Sequence, residues 1–203
     1  MCAGGDIVAI YRDILAGGAK TVPPFWEAEY RLNSFIARYP KPYVALMDGL
    51  VLGGGVGISA HGSVRVVTER TRTGMPETTI GFVPDVGGTL LLARAPGGEA
   101  GTHAALTGAH LDAADALFLG LADHFVPSAM LPGLAAALEN ETPADAVARF
   151  CEQAPSSALE AQRDWIDSCY AADDAEEILR RLRVTGGEAA KRRTPSNRRR
   201  PPP

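Results

Sequence analysis

Cysteine is scarce in this sequence and long apolar runs are missing. The three cysteines, Cys2, Cys151 and Cys169, are an odd number without the paired spacing of a zinc site or a disulfide framework, so reduced thiols and a cytoplasmic setting are the expectation. No apolar run reaches the roughly 20 residues that cross a bilayer, and no signal-peptide pattern opens the chain; no membrane partner is expected. The formal net charge of −4 argues against a generally cationic surface, so no nucleic-acid partner is expected. Basic residues crowd only near the end, in a Gly-, Arg- and Pro-rich stretch over 185–203. That stretch has no apolar face and no interleaved aromatics, and is read as a disordered tail. His61, His103, His110 and His124 share no metal-ligand spacing. No metal site is expected, and each is read as a surface or packed histidine.

Glycine, in contrast, is concentrated in three signals. They are Cys2-Ala3-Gly4-Gly5-Asp6, the run from Asp48-Gly49 to Gly53-Gly54-Gly55-Val56-Gly57, and Met75-Pro76-Glu77 continuing to Pro84-Asp85-Val86-Gly87-Gly88. Two of them offer backbone N–H groups that no side chain shields, and the third sets two carboxylates beside turn residues. Such groups can stabilise an oxyanion and move a proton, which points to acyl-group chemistry.

Between these signals the chain alternates β and α patterns. Ile7, Ile10, Ile14 and Leu15 recur at helical spacing, with Gly17-Gly18 as the stop. A second helix is expected over 24–38, with Phe25, Leu32, Phe35 and Ile36 inward and Pro40 and Pro42 beyond its end. Residues 43–47 and 64–68 read as strands, and a short helix opens at the glycine triplet and runs to about His61. Further helices are expected over 90–93, 103–107, 112–119 and 129–139, with a strand over 122–126 and a cap at Asp112. Residues 143–184 read as more helix, broken at Pro155 and near Asp173-Asp174.

Two familiar patterns fail on inspection. Gly57-Ile58-Ser59-Ala60-His61 is close to a nucleophile elbow, but its last position is His where the turn packs best with Gly. Gly55-x-Gly57-x-x-Ala60 satisfies a loose dinucleotide fingerprint. The acid after the next strand, Glu69, follows Gly55 by only 14 residues, short of the roughly 20 that a nucleotide-binding unit needs.

The glycine signals, together with Glu29-Tyr30-Arg31-Leu32-Asn33 and Tyr39-Pro40-Lys41-Pro42-Tyr43, make the chain resemble the crotonase (enoyl-CoA hydratase/isomerase) superfamily over roughly residues 2–184. Within it, the resemblance is to the branch that hydrolyses 3-hydroxyisobutyryl-CoA in valine breakdown. It implies an α/β fold of repeated ββα units and an acyl-CoA thioester as the binding partner, with CoA part of the substrate and no separate cofactor. It assigns Gly5 and Gly54 as the N–H donors of an oxyanion hole, Glu77 and Asp85 as the catalytic acids, and Glu29 to the hydroxyl end of the substrate. The eight residues from Glu77 to Asp85 include Gly81 and Pro84, so the chain can fold back and bring both carboxylates to one thioester. Whether Glu77 attacks the carbonyl or activates water stays open at this stage. Hydratases of the superfamily carry a second glutamate two residues after the glycine triplet, where this chain has Gly57. That substitution removes an acid/base group needed for hydration and not for hydrolysis.

The same resemblance divides the chain into a core over 1–140, a helical region over 141–184 and the tail over 185–203. It implies opening strands ahead of Cys2 and further helices after 184 in full-length members. A sheet lacking those strands is expected to expose an unpaired edge. A homo-oligomer is an open expectation. A crotonase-type hydratase or isomerase using Glu77 alone, and an inactive remnant serving as a binding module, are the competing readings.

Overall fold

Asp6 starts the first helix because its carboxylate accepts the Ala9 N–H at 2.9 Å, an N-cap that satisfies one of the donors every helix start leaves open. The computed structural model describes residues 2–18, 20 and 22–185, so most of the proposed tail lies outside the described residues, while its first residue, Thr185, closes the last helix. Helix α1 (Ile7–Leu15) buries none of its residues. Helix α2 (Val22–Ala37) buries Val22, Asn33 and Ile36. Of the four residues expected inward, only Ile36 is covered; Phe25, Leu32 and Phe35 are exposed by 42, 46 and 58%. The helix rests on the glycine turn through its Asn33 side, and Leu32 and Phe35 lie away from that contact.

Among the described residues, five short strands follow two parallel arrangements. Strands β1 (Val44–Met47), β3 (Val64–Val67) and β5 (His124–Phe125) form one sheet in the order β1-β3-β5. Strands β2 (Leu50–Leu52) and β4 (Arg72–Gly74) form the other. Neither β2 nor β4 was expected, since three residues beside glycine are too few to show alternation. β5 is shorter than the 122–126 run expected. Along β3 the side chains alternate: Val67 enters the main core with Met47, Val51, Val56 and Val86, and Val66 joins Val126, Leu134 and Val147 on the opposite face.

The chain passes twice from the first sheet to the second. The turn between β3 and β4 is held by the Thr71 hydroxyl, which donates to the Met47 carbonyl at 2.6 Å and accepts the Thr68 N–H at 2.8 Å. After β2 comes the one-turn helix α3 (Gly54–Gly57), shorter than expected, and after β4 comes a 3₁₀ turn, Pro76–Ile80. Both departures leave the carboxyl ends of neighbouring parallel strands, where α/β folds characteristically place ligands.

The remaining chain packs helices against this framework. They are α4 (Gly88–Ala93), α5 (Ala100–Thr107), α6 (Ala113–Phe118), α7 (Leu131–Ala137), α8 (Pro143–Phe150), α9 (Arg163–Tyr170) and α10 (Ala175–Thr185). Asp112 caps α6 through the Asp115 N–H at 2.9 Å, as its position foretold. Helices α4 and α5 approach through Gly101, where a Cβ would lie 1.9 Å from the Leu92 carbonyl oxygen. Gly101→Ala is therefore expected to destabilise the chain by roughly 1–3 kcal/mol through overpacking, read as a lower urea midpoint.

Candidate active site

The first wall of the site is built from backbone. The Cys2 carbonyl accepts the Leu52 N–H at 3.0 Å, which lays residues 2–5 against the end of β2. Closeness there demands glycine: a Cβ on Gly55 would stand 2.1 Å from the Cys2 carbonyl oxygen. Gly4 takes φ +94 and abuts Gly54, leaving Gly4 and Gly54 in backbone contact. Gly53, at φ +52 and ψ −116, adopts a conformation that residues with a Cβ rarely reach. Its N–H donates to the Gly74 carbonyl at 3.1 Å, tying the glycine turn to the end of β4. Among the described residues, no backbone acceptor takes the N–H of Gly5 or Gly54. Because α3 is a single turn, its macrodipole is weak, and the N–H groups themselves are the electrostatic resource.

The second wall carries the acids. Glu77 lies in the 3₁₀ turn after β4, and a Cβ on Gly53 would come within 2.7 Å of its Oε1. Its Oε2 is buried without a hydrogen-bond partner. Gly81, at φ +79, ends the turn, and the Phe82 N–H returns to the Glu77 carbonyl at 3.0 Å. The chain thus doubles back to Asp85. Glu29 arrives from α2 and lies against Gly54. Gly5, Gly54, Glu29, Glu77 and Asp85 all line one cavity of about 350 Å³. The five residues singled out from sequence are therefore gathered in one place.

That cavity is otherwise apolar. Ile7, Ile10 and Ile14 of α1 form one side, which explains why α1 is amphipathic yet buries nothing in the core. Trp26 and Phe82 stack across from each other, with centroids 6.0 Å apart. No Lys, Arg or His lines the cavity among the described residues. Burial pushes the Glu77 carboxyl above the usual glutamate range, and the charge of Asp85 pushes it further. Asp85 is raised by burial, against a hydrogen bond from its own backbone, and Glu29 by burial and then by Asp85. Three acids made reluctant to ionise at one apolar cavity are characteristic of a proton-transfer site.

Another candidate falls away. The Ser59 hydroxyl is fully buried and donates to the Gly55 carbonyl at 2.6 Å, so it sits in the turn after α3, bonded back to the backbone of that helix. His61, read from sequence as incidental, faces the Asp85 turn: its ring Nε2 lies 2.8 Å from the Val86 carbonyl. No local sequence signal marks that contact, which spans 25 residues.

Compared with known proteins, the sequence matches the enoyl-CoA hydratase/isomerase family over residues 1–200. The chain belongs to this family. Among curated relatives it is 41% identical to 3-hydroxyisobutyryl-CoA hydrolase 1 of Arabidopsis thaliana, over 89% of this chain and 50% of the relative. To the mitochondrial 3-hydroxyisobutyryl-CoA hydrolase of Homo sapiens it is 40% identical, over 93% and 51%. The chain spans about half the length of the curated relatives it matches. Among solved structures, a carnitinyl-CoA dehydratase from Mycobacterium thermoresistibile is 52% identical with a TM-score of 0.89, covering 94% of this chain and 56% of the other. An enoyl-CoA hydratase from Rhodobacter sphaeroides is 45% identical with a TM-score of 0.86, covering 94% and 55%. The crotonase fold that the resemblance implied is therefore the fold of this enoyl-CoA hydratase/isomerase family member.

Proposed function

We propose that this cavity hydrolyses an acyl-CoA thioester, with 3-hydroxyisobutyryl-CoA as substrate, a step of valine breakdown. The observation that carries the reading is the gathering of Gly5, Gly54, Glu77 and Asp85 around one apolar cavity, with no backbone acceptor taking either glycine's N–H among the described residues. In the proposed reaction the thioester carbonyl oxygen accepts both N–H groups. Glu77, ionised, removes a proton from water as the water oxygen bonds to the carbonyl carbon. The oxyanion collapses, the carbon–sulfur bond breaks, and the sulfur takes the proton that Glu77 has just accepted, while the charge of Asp85 keeps Glu77 a stronger base. Glu29, at the Gly54 side, accepts the hydrogen bond of the substrate's hydroxyl. A partly dry site strengthens each of these interactions.

Gly57 favours hydrolysis over hydration. A Cβ there would meet the Val86 Cβ at 2.7 Å and Asn33 Oδ1 at 3.0 Å, so no second acid fits at that position without moving its neighbours. The hydrolase names of the curated relatives support the same choice. The test follows free thiol and enoyl absorbance with 3-hydroxyisobutyryl-CoA and crotonyl-CoA in parallel. Thiol release from the first without hydration of the second is expected; hydration without thiol release would overturn the reading.

A further inference from the structure

We infer that His61 is a positioning residue: it clamps the Val86 carbonyl and so holds the left-handed turn that aims Asp85 into the cavity. Val86 has φ +45, the only residue other than glycine with a positive φ among the described residues. A β-branched side chain is poorly suited to that region, and such strain persists only where the surroundings over-determine it. Here they do so from two directions. A carbonyl can only accept, so His61 Nε2 carries the proton and donates to Val86 at 2.8 Å. The Val86 side chain, fully buried, is wedged against Gly57 of α3. A Cβ on Gly87 would lie 2.9 Å from the His61 ring, so the ring is pressed onto the turn itself.

His61 follows α3 by four residues and Asp85 precedes Val86. The hydrogen bond thus joins the segment that supplies the Gly54 N–H to the segment that supplies the second acid. Loss of the clamp lets the Val86 turn relax toward ordinary backbone angles and turns Asp85 away from Glu29 and Glu77. The kinetic consequence rests on the thioester reading above; the geometric one does not.

The test compares His61→Leu, which keeps bulk and removes the donor, with His61→Gln, whose amide N–H can reach the same carbonyl. With 3-hydroxyisobutyryl-CoA, kcat is expected to fall roughly tenfold in His61→Leu, the size of one lost hydrogen bond, with KM nearly unchanged and with recovery in His61→Gln. A second readout is the carboxyl ¹³C titration of Glu29 and Glu77, which both face Asp85, Glu29 also lying near Tyr30. In folded His61→Leu both titrations are expected to move down toward the ordinary range as the Asp85 charge leaves; in His61→Gln they stay. Equal losses in both variants, or unmoved titrations in His61→Leu, would overturn the assignment. Should the wild-type chain release no thiol, the thioester reading fails while the titrations still decide the role of His61.

Discussion

Glu77→Gln is expected to lower thioester cleavage by about 10²- to 10⁴-fold, the range typical of a lost general base. The amide matches the carboxylate in shape, so the apolar cavity and the turn after β4 should survive, and KM should change little. Stability should move the other way. Glu77 is raised by burial and by Asp85, so its folded state favours the proton. The stabilising contribution of that protonated form is complete below the ordinary glutamate value and is lost as pH rises through the raised one. At neutral pH the ionised side chain is therefore a liability in the folded state. The variant should melt higher than the wild type near pH 8 and lose that advantage below about pH 4, where an ordinary glutamate is protonated. Scanning calorimetry at the two pH values and steady-state thiol release measure both halves. Retained cleavage within a few-fold would remove Glu77 from the reaction.

The second large effect concerns backbone. Gly55→Ala would place a methyl group 2.1 Å from the Cys2 carbonyl oxygen and 2.9 Å from its carbon. Both are main-chain atoms, so residues 2–5 must shift and the Leu52 N–H loses its acceptor. Overpacking of this kind costs roughly 1–3 kcal/mol. Displacing the Gly5 N–H from the cavity should also reduce kcat by about 10²- to 10³-fold, as for one lost oxyanion donor. The pair of measurements separates two roles. A lower urea midpoint with full kcat would show that residues 2–5 brace the fold without serving the carbonyl.

The site was more legible in sequence than the packing around it. Glycine where backbone must touch backbone leaves a compositional trace, and so does an acid beside a proline at a turn; those traces marked the segments, and the family resemblance picked Gly5, Gly54, Glu77 and Asp85 out of them. Asp112 was equally visible, because a helix cap is a local device with a local signature. The covered face of α2 was not. Periodicity marks an apolar stripe without saying what meets it, and Asn33 and Ile36 are buried where Leu32 and Phe35 are not. β2 and β4 escaped for a different reason: three-residue strands are defined by their partners, and partnership is tertiary. His61 shows the limit most clearly, since its contact with Val86 depends on a backbone angle that no residue type in that turn announces.

The acidity of the cavity wall has a consequence for turnover. The proposed reaction converts an uncharged thioester into a free carboxylic acid, which ionises at neutral pH beside Glu29, Glu77 and Asp85, with no cation among the described residues lining the chamber to hold it. Like charges in a weakly screening pocket repel over several ångströms. The released acid is thus expelled by the same groups that made it, and inhibition by accumulated acid should be weak next to inhibition by CoA.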